Sequence, residues 1–184
     1  MIGIDHTRAG IDVRTVFSFT KKKMAEALAV LQKVPGIEGC VLISTCNRME
    51  LWASTDDGFP EEGLYEQLCK IKEADPGMYR PYFVFRKERE AVQHLFWLAG
   101  GLKSRILGED QIVTQVGEAL SFAREQYATD SVMETLFRMA VTAAKKVKTE
   151  VELSHTDNSV VRTAIDTLKE QGQTFSGKKC MVIG

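Results

Sequence analysis

The sequence predicts an α+β fold, and three observations carry that expectation. Four short apolar or alternating runs lie before Glu88, two helical patterns are interleaved among them, and from Glu88 onward the periodicity is almost wholly helical. Residues 2–6 alternate weakly and predict a first strand. Residues 19–34 predict a helix, with Met24, Leu28 and Leu31 on one face and Lys21, Lys22 and Lys23 in its first turn. Pro35-Gly36 ends it. Residues 39–44 form an apolar run that predicts a second strand, and residues 49–54 alternate as a third. Residues 60–72 predict a helix with Leu64, Leu68 and Ile71 on one side. Asp75-Pro76-Gly77 predicts a turn and residues 82–85 a fourth strand.

Helices are predicted next over residues 91–100, 111–126 and 131–150. Four strands and two interleaved helices suit a ferredoxin-like α/β sandwich, and the later helices would extend it. Residues 158–172 predict a further helix and residues 179–183 a strand that stops at Gly184. A turn, a buried-type strand and a glycine are also how a dinucleotide-binding βαβ unit begins. The expected division is therefore residues 1–150 as one domain with its helical extension, and 151–184 as a linker plus the first helix and strand of a Rossmann-type domain.

Composition sets the outer bounds. The 184 residues are 44% hydrophobic and 27% charged, within the range of ordinary globular chains. No run of about 18 apolar residues occurs, so no membrane span is expected. The N-terminus lacks a basic start and an apolar signal core, which makes the cytoplasm the default location. Cys40, Cys46, Cys69 and Cys180 form no CxxC pair and have no zinc-like spacing with the three histidines, so free thiols are expected. A net charge of −1 neither advertises nor excludes a nucleic-acid partner.

Chemistry collects in two places. Ser44-Thr45-Cys46-Asn47-Arg48 follows the buried-type run Val41-Leu42-Ile43 and puts a thiol among hydrogen-bonding side chains, with a guanidinium two positions on. A nearby cation favours the thiolate, the nucleophilic form. A small buried hydrophobe is the other meaning of a free cysteine, and these residues alone leave both open. The second cluster is His94, Ser104, Glu109, Asp110, Gln111 and Gln115. Gln111 and Gln115 are four apart and face the same way on a helix. Glu109 and Asp110 at its start fit simple capping, and His94, like His6, fits an ordinary structural histidine as well as a functional one. Arg138, Lys145 and Lys148 form a basic stripe on the 131–150 helix, usually just a solvated face.

Taken in order, these segments resemble glutamyl-tRNA reductase, the enzyme that opens the tetrapyrrole pathway from glutamate. The resemblance rests on Gly3-Ile4-Asp5-His6-Thr7, on the run from Leu42 through Cys46 to Leu51, and on His94-Leu95-Phe96. It continues through Ala99-Gly100-Gly101-Leu102, Ser104, Leu107-Gly108-Glu109-Asp110-Gln111-Ile112 and Gln115-Val116, and the basic Ala144 to Glu150 segment. It implies that Cys46 attacks the aminoacyl ester of glutamyl-tRNA to form a thioester, which hydride from NADPH reduces to glutamate-1-semialdehyde. Arg48 would grip the substrate carboxylate, with Thr45 and Asn47 completing that segment. Ser104, Glu109, Asp110, Gln111 and Gln115 would line the glutamate pocket, and His94 would serve as a catalytic histidine near the thiol. Gly184 would be the first cofactor-binding glycine. Also implied are a homodimer for the full-length protein and glutamate-1-semialdehyde aminomutase as a partner.

The chain departs from that pattern in places. Lys103 and Arg105 stand where the family usually has an acidic and an apolar residue, Asp5 where asparagine is common, and Arg8-Ala9-Gly10-Ile11 differs from the usual Ala-Pro pattern. The competing expectation, resting on these departures, is a non-catalytic homologue that binds tRNA or a pathway partner. A generic cysteine-dependent aldehyde dehydrogenase fits poorly, because the thiol precedes any nucleotide-binding segment.

Overall fold

The computed structural model describes residues 1–105, 108–109, 111–151, 160–179 and 181. Four strands form one antiparallel sheet in the order β2-β3-β1-β4: β1 Ile2–Asp5, β2 Ile37–Ser44, β3 Arg48–Thr55 and β4 Val84–Phe85. This is the strand order of a ferredoxin-like sandwich, as predicted. Between β1 and β2 run α1 (Ile11–Phe17) and α2 (Lys21–Leu31). Between β3 and β4 run α3 (Gly63–Lys72), the four-residue α4 (Pro76–Tyr79) and a 3-10 turn over Arg80–Tyr82. Helices α5 (Glu88–Ala99), α6 (Gln111–Glu125), α7 (Ser131–Glu150) and α8 (Val160–Glu170) follow. Among the described residues no helix is long and apolar enough to cross a membrane.

Several boundaries differ from expectation, each for a local reason. The sequence pattern misses α1, which at seven residues is too short to establish a period; it buries Phe17, whose ring meets Tyr79 and Phe83 edge-on. Helix α2 starts at Lys21, because the Thr20 hydroxyl accepts from the Lys23 amide as an N-cap. It stops at Leu31, before the predicted end, where Lys33 and Val34 close a tighter turn onto Val30 and Leu31. Helix α3 begins at Gly63 rather than residue 60, since the Gly63 amide donates to the Pro60 carbonyl in a separate turn. Asp75-Pro76-Gly77 opens the short α4, with the Asp75 carboxylate capping the Gly77 amide at 2.8 Å and proline in the first turn. The 3-10 turn consumes the start of the predicted fourth strand and leaves β4 two residues long. Helix α8 confirms the last predicted helix. Most of the strand expected over residues 179–183 lies outside the described residues, as does Gly184, and Lys179 and Met181 are not in strand.

The antiparallel register sorts the sheet into two faces. Ile2 and Ile4 pair with Leu51 and Met49, and Leu42 pairs with Leu51, so one face is aliphatic; it is buried together with Phe17, Leu28, Leu31 and Leu68. The opposite face carries Gly3, Asp5, Arg48, Glu50 and Trp52, and meets the helical extension: Trp52 touches the Phe137 ring of α7 edge-on, 5.7 Å between centroids. The extension is fastened at Gly39. There the Cys40 amide donates to the Ala128 carbonyl at 2.7 Å, and the Asp130 carboxylate caps α7 by accepting from Met133 at 2.9 Å. A Cβ on Gly39 would lie 2.6 Å from the Asp130 amide nitrogen, so only glycine admits that approach. Gly39→Ala is therefore expected to destabilise the fold by about 1–3 kcal/mol, read as a lower urea midpoint at unchanged slope.

Candidate active site

Residues 45–47 are the turn that joins β2 to β3, and Cys46 is exposed in it. The Thr45 amide donates to the Arg48 carbonyl at 2.8 Å, and the Thr45 hydroxyl accepts from the amides of Asn47 and Arg48, both at 3.2 Å. The Asn47 carbonyl in turn accepts from the His6 amide at 3.0 Å, tying the thiol's turn to the end of β1. Thr45 and Asn47 thus shape the loop that presents Cys46. The other described cysteines, Cys40 and Cys69, are buried, and burial pushes the Cys40 thiol up to about 12.

The guanidinium expected beside the thiol is committed elsewhere. Arg48 is nearly fully buried: its Nη1 donates to Glu50 Oε1 at 3.0 Å and lies 4.0 Å from Asp5, and its Nη2 donates to the Lys103 carbonyl. Glu50 is the hub. Its Oε1 also meets His94 Nε2 at 3.0 Å, and its Oε2 accepts from the Trp52 indole at 3.1 Å, while the Trp52 ring stacks on the imidazole. Burial pushes the Glu50 carboxyl up, but hydrogen bonds and charge from His94 and Arg48 outweigh it and hold the group below the usual carboxylate range. Glu50 is thus a carboxylate that can only accept, so His94 Nε2 carries a proton toward it. Gly3, opposite Glu50 on β1, makes the room: a Cβ there would come within 2.9 Å of Glu50 Cγ.

Sequence reasoning passed over Glu50. Its signal was the spacing Arg48-x-Glu50-x-Trp52, which on a strand puts an acid, a base and an indole on one face. Four of the predicted residues line two separate concavities, while Cys46, Asn47 and Arg48 line neither. Thr45 and Gln115 line a groove of about 410 Å³ along the free edge of β2, between α2 and α6. His94 and Ser104 line a cavity of about 270 Å³, together with Asp5, His6 and Arg86. Ser104 is placed by a loop that closes on itself. Gly101, at φ +79°, accepts from the amides of Ser104 and Gly108, and a Cβ on it would lie 3.0 Å from Gly108 Cα. Gln111 is exposed at the start of α6 and Glu109 is half-buried just before it; neither lines the groove or the cavity. Asp110 lies outside the described residues.

Comparison with known proteins decides what this arrangement belongs to. The family described as Glutamyl-tRNAGlu reductase, N-terminal domain, matches residues 2–151. The chain belongs to that family. It is 45% identical over 188 residues to a glutamyl-tRNA reductase of Acetivibrio thermocellus, and 42% identical over 184 residues to one of Alkaliphilus oremlandii. Each comparison covers 100% of this chain and 54% of the relative, so the chain spans about half the length of the curated relatives it matches. The solved glutamyl-tRNA reductase of Methanopyrus kandleri superposes with a TM-score of 0.72 at 25% identity, over 92% of this chain and 39% of that one. The reductase N-terminal fold is therefore the frame in which Cys46, Glu50 and His94 are held.

Two outcomes follow from this geometry. Because the folded Glu50 carboxyl titrates below its ordinary value of about 4.3, its contribution to stability is present above that pH and is lost as pH falls through the lower folded value. Glu50→Gln is expected to cost about 3–5 kcal/mol at pH 7, a deficit that narrows below pH ~4; urea unfolding of both proteins at the two pH values measures it. Alkylation of the folded protein with iodoacetamide, mapped by peptide mass, is expected to label Cys46 and to spare Cys40 and Cys69 until denaturant is added.

Proposed function

We propose that this chain carries the acyl-capturing half of glutamyl-tRNA reduction, the step with which tetrapyrrole synthesis from glutamate starts. One observation supports it above the others: the only exposed thiol among the described cysteines sits on a braced hairpin turn, next to the Thr45 that lines the groove at β2, in a chain of the reductase N-terminal family. The Cys46 thiolate attacks the aminoacyl carbonyl carbon of glutamyl-tRNA. A carbon–sulfur bond forms, the bond to the ribose oxygen breaks, and that oxygen takes up a proton as tRNA leaves. A thioester remains, still activated and more receptive to hydride than an oxygen ester. Water attacking the thioester instead releases glutamate and restores the thiol.

The side chains around the thiol divide the remaining work. Gln115 and Thr45 orient the substrate from the groove, Ser104 and His94 from the cavity, and Glu109 and Gln111 with Asp110 from the start of α6. Arg48 meets the substrate carboxylate through edges of its guanidinium not used by Glu50 and the Lys103 carbonyl, with its orientation fixed beforehand. Such an arginine rejects an uncharged side chain, because glutamine would leave it unpaired. Reducing equivalents come from NADPH in this reading. Gly184, its expected first contact, lies outside the described residues, and the chemistry assigned to this chain stops at the thioester. Residues 1–150 then form the catalytic part and 151–184 lead into the nucleotide-binding part of a cytoplasmic, homodimeric enzyme. Glutamate-1-semialdehyde aminomutase, the consumer of the reactive aldehyde, is its natural partner.

The test compares this chain with its Cys46→Ser variant on radiolabelled glutamyl-tRNA. Wild type is expected to trap label through a thioester sensitive to hydroxylamine and to release glutamate slowly; the serine variant is expected to lose at least about a hundredfold in both, a loss of roughly 2.7 kcal/mol in transition-state stabilisation. Equal deacylation by the two proteins refutes the assignment.

A further inference from the structure

The basic stripe on α7 has no part in capture of the acyl group. Arg138 and Lys145 are both exposed and share one side of the helix, about 10 Å apart along its axis. Neither has a carboxylate within ion-pair distance among the described residues, and Arg138 lends only its field to Glu134. Compensation of the helix dipole does not account for them. That effect is confined to the last turn, where Lys148 stands; Lys145 lies more than one turn before Glu150 and Arg138 more than three.

Nor do acids dilute the stripe. Glu134 is paired with Arg124, and Glu150 lies 3.7 Å from Lys146. Helix α6 keeps both of its acids, Glu118 and Glu125, in the lining of the groove along β2. Where α6 meets α7, Gly117 faces Val141 and carries no side chain to cover the stripe.

What the stripe lacks defines its partner. The hydroxyls beside the two cations are committed, Thr142 donating to the Arg138 carbonyl and Thr149 to that of Lys146, each at 2.8 Å. The one aromatic residue of α7, Phe137, is fully buried. A face with charge but without free neutral donors or stacking rings contacts phosphates and not base edges, and suits paired rather than single-stranded nucleic acid. The fold also brings this face round to the thiol. Gln115, near the start of α6, shares a groove with Thr45, whereas Ala128, just past its end, holds the Cys40 amide. Helix α7 then packs back along α6 for 20 residues, about 30 Å, so Lys145 returns to the end of the sheet where Cys46 sits.

We propose that the Arg138–Lys145 side of α7 docks the phosphate backbone of the tRNA acceptor stem, while the unpaired 3′ end carries the aminoacyl ester to Cys46. This rests on the reading of the chain as a glutamyl-tRNA-binding protein. Arg138 meets phosphate oxygens through its fork and Lys145 as a point charge, and Lys146 and Lys148 extend the field toward the end of the helix.

Uncharged tRNA is titrated over a range of salt against wild type and three double variants. These are Arg138→Ala/Lys145→Ala, the charge-preserving Arg138→Lys/Lys145→Arg, and Lys22→Ala/Lys33→Ala, which removes the same charge at α2. All four positions are exposed, so every variant is expected to keep the wild-type urea midpoint. The alanine pair on α7 is expected to bind about tenfold more weakly, for glutamate-specific and unrelated tRNAs alike. Its slope of log affinity against log salt should fall by about 2, roughly 1 for each phosphate contact, while the other two variants stay near wild type. Unchanged affinity and slope in the α7 pair overturn the proposal, as does an equal loss in the α2 pair, which marks an effect of net charge. A loss confined to the glutamate-specific tRNA marks base readout and overturns it, as does the absence of binding by wild type at low salt. Phosphatidylserine vesicles bound as tightly as tRNA, with the same dependence on Arg138 and Lys145, assign the stripe to a membrane surface and also overturn it. Thioester formation at Cys46 is followed in parallel with glutamyl-tRNA. Binding that depends on the α7 pair in a wild-type protein that forms no thioester supports the docking surface and refutes acyl capture, so the two readings fail separately.

Discussion

A single buried carboxylate organises the polar face of this sheet and the candidate site beside it. Glu50 holds Arg48 through one oxygen, shares that oxygen with His94, and binds the Trp52 indole through the other. Each partner reaches a different part of the fold: Arg48 the carbonyl of Lys103, His94 the helix α5, and Trp52 the Phe137 ring of α7. Removing the acid would leave an arginine buried and unpaired between sheet and helices. That is why the interaction is worth more as a constraint than as a source of net stability. It also sets which nitrogen of His94 meets the carboxylate, leaving Nδ1 without a hydrogen-bond partner among the described residues.

Around that hub the architecture divides labour between two faces of one sheet. The aliphatic face supplies cohesion and nothing chemical. The polar face is closed by the helical extension, which is drawn onto the sheet where Gly39 lets the segment before α7 reach β2. The candidate site residues then collect at one end of the sheet, on the β2–β3 turn, the end of β1 and the loop after α5. Loops held by a rigid sheet are where such groups belong, because the strands fix their positions while the backbone stays free to take the turns chemistry needs.

Much of this was legible in the sequence, and the parts that were not share a cause. The strand order followed from four alternating runs and two interleaved helices, and α7 was placed to the residue by its long period. The helix α1, the capped α4 and the shortened β4 were misread because each is shorter than the window over which periodicity can be judged. Cys46 is exposed on its turn, where the sequence leads one to look for it, but the spacing Cys46-x-Arg48 shows proximity along the chain and not which face the guanidinium takes. Glu50 was hidden in an apolar strand, where a charged residue needs a partner, and that partner, His94, is 44 positions away.

The alternation of β3 has one more consequence, and it concerns folding. Arg48 and Glu50 lie on one face and Met49 and Leu51 on the other, with β1 and β2 reading the same pattern across the ladder. Sliding β3 by a single residue would turn both ions into the aliphatic layer and the methionine and leucine toward the cavity. An all-apolar strand in this position would tolerate such a slip as a modest mispacking. Here the slip would strand two charges in hydrocarbon, so the groups that serve the site also proofread the assembly of the sheet that carries them.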